Sequence, residues 1–261
     1  MIKMPNEKCI VLIPARMESS RLAGKPMRKI AGIPMIIHVA IRSSQCPIAE
    51  RTIVCTDSAD IIFECEKYGI EVCNTRNNHL NGTDRIAEAV ILLKLSDNQI
   101  IVDVQGDEPF VNINYISEVA SNVAHSQYGC VVPYQDFEES NNPNRVKIVS
   151  SFDKIIYFSR SDVPNYFGQV NQPMKKHLSI IGFRVDVLKK YYSFFPKELE
   201  KIEKIELFRL IENNIDIGTF KMAGQSMSVD TEDDYQKACR MIETDDYFLK
   251  LYKEGLFNAK S

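Results

Sequence analysis

The chain has 261 residues, of which 44% are hydrophobic and 26% are charged. This length and composition suit one large globular domain, or one domain with a small lobe, and exclude a disordered or fibrous chain. The formal net charge is −3 and the sequence pI is about 5.9, which disfavours a general nucleic-acid binder because such proteins are normally basic.

Strand and helix patterns alternate through the first half of the chain. Apolar runs predict buried strands at residues 8–15, 50–57 and 70–75, and a fourth strand begins at residue 99 and runs directly into acid. Helices are predicted at residues 32–44, 58–69 and 82–95. This alternation predicts an α/β fold with a doubly wound, mostly parallel sheet, whose ligands bind beyond the carboxyl ends of the strands.

The second half of the chain is more mixed. Strands are predicted at residues 145–151, 154–160 and 177–184, and helices around 186–195 and 198–213. A last helix at residues 231–243 follows a short apolar strand. We therefore expect residues 1–261 to form a single domain, with a smaller α+β lobe inserted near residues 130–220.

Cysteine usage and the N-terminus indicate the compartment. Seven cysteines are present, with no CxxC pair, and several lie in apolar runs, so neither a disulfide framework nor a zinc site is expected. The N-terminal stretch MIKMPNEKCIVLIPAR has no long apolar segment, and no later run approaches membrane-spanning length. We expect a cytoplasmic protein without a membrane partner.

Three cations, Arg16, Arg21 and Lys25, lie in the loop that follows the first predicted strand, and Gly24 and Pro26 flank the lysine. A solvated basic loop is the common explanation of such a cluster. Here the loop follows a buried strand, and polyphosphate is the common ligand that requires several cations in a small volume. The loop matches neither the Walker A pattern nor the GxGxxG fingerprint, so it predicts a phosphate site of another kind.

Acidic residues follow two other predicted strands. In VDVQGDEP, Asp107 and Glu108 lie at a strand end, and in SVDTEDD, Asp230 precedes a helix. Polyphosphate chemistry usually needs Mg²⁺, which binds a few carboxylate oxygens and keeps several waters. Asp107 and Asp230 are therefore the predicted metal ligands. An acidic turn is the alternative for Asp107, and helix capping is favoured for Glu232 and Asp233.

Seven motifs occur in one order along the chain: IPARMESSRLAGKP, GTDRIAE, VQGDEP, NPNRVKIV, YFSRSDVP, HLSIIGFR and VDTEDD. In this order and spacing they resemble the cytidylyltransferases of 3-deoxy-manno-octulosonate (KDO), also called CMP-KDO synthetases. The resemblance covers roughly residues 9–243, nearly the whole chain, and seven motifs in order are very specific for that family.

The resemblance implies an enzyme that transfers CMP from CTP to an acidic eight-carbon sugar and releases pyrophosphate, for lipopolysaccharide biosynthesis. The protein's task in such a transfer is to position the reactants and neutralise charge. By similarity Arg16, Lys25 and Asp107 are catalytic, and Asp107 and Asp230 hold Mg²⁺ as the cofactor. The nucleotide-binding residues that the resemblance implies are Pro14, Ala15, Arg16, Arg21, Lys25, Arg76, Gly82, Thr83 and Gln105.

The resemblance also implies a sugar side. Arg160 and His177 are candidates for binding the sugar carboxylate, although without the resemblance His177 would be interpreted as a packed or surface imidazole. The other histidines, His38, His79 and His125, are expected to be structural. The predicted sugar-binding residues are Gln105, Arg160, His177, Ile181, Glu206 and Leu207.

The chain departs from the family pattern on that sugar side. Residues 177–184 read HLSIIGFR where HLGIYGYR is usual, so Ile181 replaces a Tyr, and Leu207 stands where a Gln is expected. A site that loses partners for a hydroxyl group changes which sugar fits. Two acceptors therefore stay open, KDO and 8-amino-KDO, whose ammonium would gain from Glu206 or Glu203. Substitution without a change of substrate is the alternative.

Two other functions also stay open. One is a nucleotidyltransferase for another sugar with a different base. The other is a catalytically inactive relative that binds only a nucleotide or a partner protein, which predicts the loss of Lys25, Asp107 or Asp230, and all three are present. Many proteins of the family are homodimers, so a homodimer is expected, with no nucleic acid as a partner.

Overall fold

The computed structural model of the chain describes residues 8–18, 22–165, 173–224 and 227–259. The strands are β1 (Cys9–Pro14), β2 (Lys29–Ile30), β3 (Ile33–Pro34), β4 (Ala49–Thr56), β5 (Glu71–Asn74), β6 (Ile100–Val104), β7 (Cys130–Phe137), β8 (Lys147–Ser151), β9 (Lys154–Ser159), β10 (Met174–His177), β11 (Ile180–Arg184) and β12 (Gly218–Lys221). The α-helices are α1 (Met35–Ser44), α2 (Ala59–Lys67), α3 (Gly82–Leu92), α4 (Ile113–His125), α5 (Val185–Ser193), α6 (Glu198–Glu203), α7 (Phe208–Ile211), α8 (Glu232–Ile242) and α9 (Asp246–Lys253). Among the described residues, no helix combines the length and the apolar composition needed to cross a bilayer.

Ten of the strands form one sheet in the order β10–β8–β9–β12–β7–β11–β6–β1–β4–β5. β1 pairs in parallel with β4 on one side and with β6 on the other, and β4 pairs in parallel with β5. Helices α1 and α2 pack on one face of these strands and α3 packs on the opposite face. The chain therefore leaves β1 towards β5 and returns on the other side of β1, which creates a switch point between β1 and β6. The predicted α/β class is confirmed.

The side chains of β1 alternate between two apolar cores. Cys9, Val11 and Ile13 face the core that includes α1 and α2, whereas Ile10 and Leu12 face the core that includes α3 and α5. All five are at most 1% exposed. Burying one aliphatic side chain contributes roughly 1.5–3 kcal/mol, so both faces of the strand stabilise the fold. This double burial explains why the apolar run in the sequence is continuous.

Residues 130–221 extend the same sheet with mostly antiparallel strands. β11 lies between β6 and β7 and is antiparallel to both, and β8 and β9 form an antiparallel pair. β7 and β12 pair in parallel. The parallel strand pairing predicted for the sheet is thus concentrated around β1. The formation of a smaller lobe near residues 130–220 stays a prediction.

Two predicted elements differ from the structure. The helix predicted over residues 198–213 is divided into α6 and α7, because Lys204 adopts a left-handed backbone conformation (φ 55°) at the end of α6. The short strand predicted before Asp230 is not formed by the described residues 227–230. One backbone hydrogen bond joins this segment to the loop after β6, from the Val229 N–H to the Asp107 carbonyl oxygen at 2.9 Å.

Candidate active site

A cleft of about 240 Å³ opens at the carboxyl ends of β1 and β6, at the switch point of the sheet. This is the position at which doubly wound sheets bind their ligands. Residues predicted from the sequence to bind nucleotide or metal line much of it: Pro14, Ala15, Arg16, Lys25, Gly82, Gln105, Asp107 and Asp230. The fold therefore brings together most of the residues that were predicted to bind nucleotide or metal.

Lys25 lies between two carboxylates in this cleft. Its Nζ is 2.6 Å from Asp107 Oδ2 and 3.1 Å from Asp230 Oδ1. Burial lowers the pKa of the ammonium, but the charges and hydrogen bonds of the two carboxylates outweigh burial and raise that pKa above its ordinary value. The ammonium therefore stays charged, and it joins segments that lie 82 and 205 positions away along the chain.

Two glycines shape the loops that carry these groups. Gly24 has φ 61°, a left-handed conformation that suits glycine, and it opens the 3-10 turn Lys25–Met27. A Cβ atom at Gly106 would lie 3.0 Å from the Pro14 carbonyl oxygen. Glycine at this position therefore allows the loop after β6 to approach the end of β1 closely.

The start of α8 fixes Asp230. Thr231 caps the helix, and the Asp234 carboxylate accepts hydrogen bonds from the backbone N–H groups of Thr231 (2.9 Å) and Asp230 (3.1 Å). This reciprocal capping box orders the residues immediately after Asp230. Capping is thus supplied by Thr231 and Asp234, whereas Glu232, for which capping was favoured, accepts a hydrogen bond from Arg28 Nη2 at 2.9 Å. The Asp230 side chain faces Lys25.

The remaining predicted nucleotide-side residues differ in position. Arg16 lines the cleft, is exposed, and forms no ion pair or hydrogen bond with another described residue. Thr83 is buried directly behind Gly82 in the first turn of α3. Arg21 lies outside the described residues.

Arg76 does not line the cleft. Its Nε donates to Glu88 Oε1 at 2.5 Å, and its guanidinium also contacts the Tyr192 hydroxyl. His79, which was expected to be structural, lines the cleft instead, with Nε2 placed 2.7 Å from Glu88 Oε2. Glu88 thus holds both side chains, and a nucleotide contact by Arg76 stays a prediction.

Three further polar residues line the cleft without having been predicted, namely Glu18, Asn81 and Arg85. Asn81 caps α3, since its Oδ1 accepts from the Asp84 N–H at 2.8 Å. Arg85 is 4% exposed, and its Nη1 lies 2.7 Å from Asp57 Oδ1. Two sequence signals would have identified Asn81 and Arg85. Asn81 directly precedes a predicted helix, and Arg85 is a cation on the apolar face of that helix.

Two of the predicted sugar-side residues, Gln105 and Ile181, lie directly after β6 and on β11. Ile181 pairs with Asp103 across these antiparallel strands, so both side chains lie on the sheet face covered by α3. Asp103 is fully buried, and the Gln105 amide Nε2 donates to both of its carboxylate oxygens at 3.0 Å. Burial, and then the negative charge of Glu206, raise the pKa of Asp103 well above its ordinary value.

Glu206 and Leu207 lie between α6 and α7. Leu207 is buried in the same core as Ile181. Thr83 Oγ1 donates to Glu206 Oε1 at 3.4 Å, and burial raises the pKa of the Glu206 carboxyl. Neither Asp103 nor Glu206 forms an ion pair with a cation in the part of the chain that the structure describes.

Arg160 and His177, the candidates for the sugar carboxylate, lie beyond the end of β9 and at the end of β10. The Arg160 guanidinium donates to the carbonyl oxygen of Pro143 at 2.9 Å and to two carbonyl oxygens of residues 203–204 at 2.6 and 3.1 Å. The His177 ring packs on Phe158 with centroids 5.8 Å apart, and burial lowers its pKa to about 4. Neither residue lines the cleft, and their contact with a sugar carboxylate stays a prediction.

The donor set of the cleft fits a magnesium ion. Two carboxylates from separate segments, Asp107 and Asp230, converge on a single positive charge in an open polar cleft. Among the described residues, no group of three His, Cys, Asp or Glu side chains is placed to hold a metal. Two carboxylates with room for waters suit Mg²⁺, which usually keeps several waters.

Comparison with known proteins identifies the family. A sequence profile described as Cytidylyltransferase matches residues 10–217, which is most of the chain. The chain belongs to the cytidylyltransferase family. Its members transfer a cytidylyl group from CTP, so the prediction of a nucleotidyltransferase is confirmed.

Two solved structures are similar to this cytidylyltransferase. CMP:2-keto-3-deoxy-manno-octonic acid synthetase complexed with CTP has a TM-score of 0.84 and 30% sequence identity, covering 91% of this chain and 99% of that one. The resemblance to the KDO cytidylyltransferases is thereby confirmed. A cytidylyltransferase from Leptospira borgpetersenii serovar Hardjo-bovis (strain JB197) has a TM-score of 0.61 and 17% identity over 97% of this chain and 98% of that one, which shows the shared fold.

Proposed function

We propose that this cytidylyltransferase transfers CMP from CTP to KDO and releases pyrophosphate, for lipopolysaccharide biosynthesis. The observation that carries the proposal is the Lys25 ammonium held between Asp107 and Asp230 in the cleft at the switch point. The 30% identity with a CMP-KDO synthetase over 91% of the chain supports KDO as the acceptor.

In this reaction a hydroxyl oxygen of the sugar bonds to the α-phosphorus of CTP, while the bond from that phosphorus to the pyrophosphate oxygen breaks. The triphosphate brings several negative charges into the cleft, where Arg16 and Lys25 neutralise them. Lys25 has carboxylate partners in the free protein and phosphate oxygens as partners in the complex. Donors placed in advance stabilise the transition state because they need little reorganisation during the reaction.

Asp107 and Asp230 are the residues that would hold Mg²⁺. When bound there, the ion supplies Lewis-acid stabilisation of phosphate and sugar oxygens. Asp107 lies in the turn that follows β6 and Asp230 lies just before α8, so a strand and a capped helix flank the two carboxylates. Both carboxylates already contact a cation, the Lys25 ammonium, in the free protein.

A second acceptor, 8-amino-KDO, is favoured by a specific observation. Glu206 is a half-buried carboxylate with a raised pKa and no cation partner among the described residues, and it precedes the apolar Leu207, which lies in the same core as Ile181. A buried carboxylate without a counter-ion is costly, and a ligand ammonium would offset that cost. The apolar side chains provide no hydroxyl or amide for a neutral sugar tail.

The test is pyrophosphate release with CTP and Mg²⁺, comparing KDO and 8-amino-KDO at matched concentrations. KDO as the better acceptor supports the first proposal, and a clear preference for the amine supports the second. Parallel assays with ATP, GTP and UTP serve as controls for the base. Release with neither sugar would contradict the acceptor proposal and leave the family assignment intact.

We also propose that the protein is a homodimer, because many proteins of this family are dimers. The proposed location is the cytoplasm. Light scattering of the purified protein tests the oligomeric state. A mass of twice 29.8 kDa is expected, and a monomer would contradict it.

A further inference from the structure

Arg209 lies at the centre of a buried charge network next to the sugar-side residues. It is 3% exposed, and its guanidinium contacts carboxylates from two different elements. Nε and Nη2 donate to Glu200 of α6 at 2.9 and 2.5 Å, and Nη1 donates to Asp84 of α3 at 2.5 Å. The guanidinium carbon also lies 4.2 Å from the Tyr191 ring centroid. Arg209 thus joins its own helix, α7, to α6 and α3.

The first turn of α3 serves two neighbours at once. Asn81 and Gly82 line the cleft, whereas Thr83 and Asp84 contact the α6–α7 segment, which is formed by residues 198–211. This segment carries Glu206. The position of the Glu206 carboxylate relative to the cleft is therefore set by how the α6–α7 segment is held on α3.

The electrostatics of the segment depend on Arg209. Two carboxylates, those of Asp84 and Glu200, contact this one guanidinium, and the Glu206 carboxylate lies on the same segment. Burial, and after it the negative charges of Glu200 and Asp84, raise the pKa of Glu206. Removing the guanidinium would leave the Asp84 and Glu200 carboxylates without their counter-ion, so the α6–α7 segment would move away from α3.

We propose that Arg209 is a positioning residue for the acceptor substrate. By fixing the α6–α7 segment against the first turn of α3, Arg209 places Glu206 beside the cleft. The inference rests on the proposed function and on the expectation from the sequence that Glu206 contacts the acceptor sugar. Arg209 itself does not line the cleft, so it acts through Glu206.

The test is Arg209→Lys, with Arg42→Lys as the matched control. Arg42 is 6% exposed and its Nη1 donates to both oxygens of Asp245 at 3.1 Å, on the opposite face of the sheet. Lysine keeps the charge in both variants but lacks the planar fork that contacts two carboxylates. Initial rates of pyrophosphate release give separate KM values for CTP and for the acceptor sugar, and thermal unfolding gives Tm.

Arg209→Lys is expected to raise the acceptor KM about tenfold, equivalent to about 1.4 kcal/mol, and to leave the CTP KM within about twofold. Arg42→Lys is expected to lower Tm while both KM values stay unchanged. An Arg209→Lys protein that loses Tm like the control and keeps its acceptor KM would show that the guanidinium is merely structural, and the proposal would be wrong.

Asp84→Asn provides a milder variant if Arg209→Lys does not fold. It removes the α3 carboxylate and leaves the contact with Glu200 in place, so an acceptor KM about threefold higher is expected. An unchanged acceptor KM in this variant would also overturn the proposal. Wild-type protein that accepts neither sugar would overturn the proposed function, and this inference with it.

Discussion

The proposed nucleotide side and the proposed sugar side of the site balance their charges in different ways. On the nucleotide side, Asp107 and Asp230 share the Lys25 ammonium within hydrogen-bonding distance in an open cleft. On the sugar side, Asp103 and Glu206 have raised pKa values and no cation partner among the described residues. The first set is electrostatically satisfied in the free protein, whereas the second is not.

This difference separates stability from function. Removing one member of the Lys25 ion cluster should lower the reaction rate strongly, because its groups are proposed to stabilise the charges of the transition state. An unsatisfied buried carboxylate lowers the free energy of unfolding, so replacing it with a neutral side chain should stabilise the protein. If the carboxylate binds a ligand, the same replacement should also weaken the binding of that ligand. Substitutions on the two sides should therefore change activity and stability in different combinations.

Asp107→Asn should have the largest effect. We expect turnover to fall on the order of a thousandfold, because one carboxylate of the proposed metal pair is lost, while Tm changes little. Initial rates with CTP and Mg²⁺ measure the first quantity, and calorimetry measures the second. Activity close to that of the wild type would remove Asp107 from the metal site.

Lys25→Ala should have the next largest effect. Loss of one phosphate donor should lower kcat about a hundredfold, equivalent to about 2.7 kcal/mol. The variant also leaves Asp107 and Asp230 facing each other without a cation, so higher Mg²⁺ concentrations should recover part of its Tm. A loss of Tm that accounts for the whole loss of activity would mark Lys25 as structural.

Buried histidines should produce acid lability. Burial lowers the pKa values of His38 and His177 from 6.5 to about 4, so the folded protein keeps both rings neutral while the unfolded chain takes up protons near pH 6.5. Acidification therefore favours unfolding, and between pH 6.5 and 5 each ring should cost about 2 kcal/mol. Urea unfolding at several pH values measures this loss, and His38→Gln should reduce its slope. An unchanged slope would assign the acid lability to other groups.

Asp103→Asn should have the smallest effect, and its sign is informative. A raised pKa in the folded state means that stability falls as pH rises above the ordinary value of 3.8, so a neutral amide should stabilise the protein by about 1 kcal/mol at pH 7. Destabilisation at pH 7 would show that the charge is already compensated.

The nucleotide side was largely predictable from the sequence. Its strands are buried on both faces and appear as continuous apolar runs, and parallel strands place their carboxyl ends at one edge. Residues that directly follow such runs, such as Arg16 and Asp107, therefore lie close together. Asp230 lies beside Lys25 and near Asp107, as the metal prediction requires, although the strand expected before it is replaced by a single backbone hydrogen bond from Val229.

The sugar side was less predictable because its contacts are non-local. The left-handed residue Lys204 divides a segment whose pattern predicts one helix, and no local signal identifies it. Arg209 meets Asp84 from 125 positions away, and Asp103 lies in the middle of an otherwise apolar strand. The alternation of β6 and β11 side chains that groups Asp103 with Ile181 depends on a register that only the folded sheet defines.

The ion cluster at Lys25 also has a consequence for biosynthesis. Its members come from the beginning, the middle and the far end of the chain, with 205 positions between Lys25 and Asp230. A nascent polypeptide on the ribosome can pair the strands around β1 long before Asp230 has been translated, because domains begin to fold from the N-terminal end during synthesis. The cluster is therefore complete only after Asp230 has been synthesised, so incomplete translation products would lack one of the two proposed metal ligands.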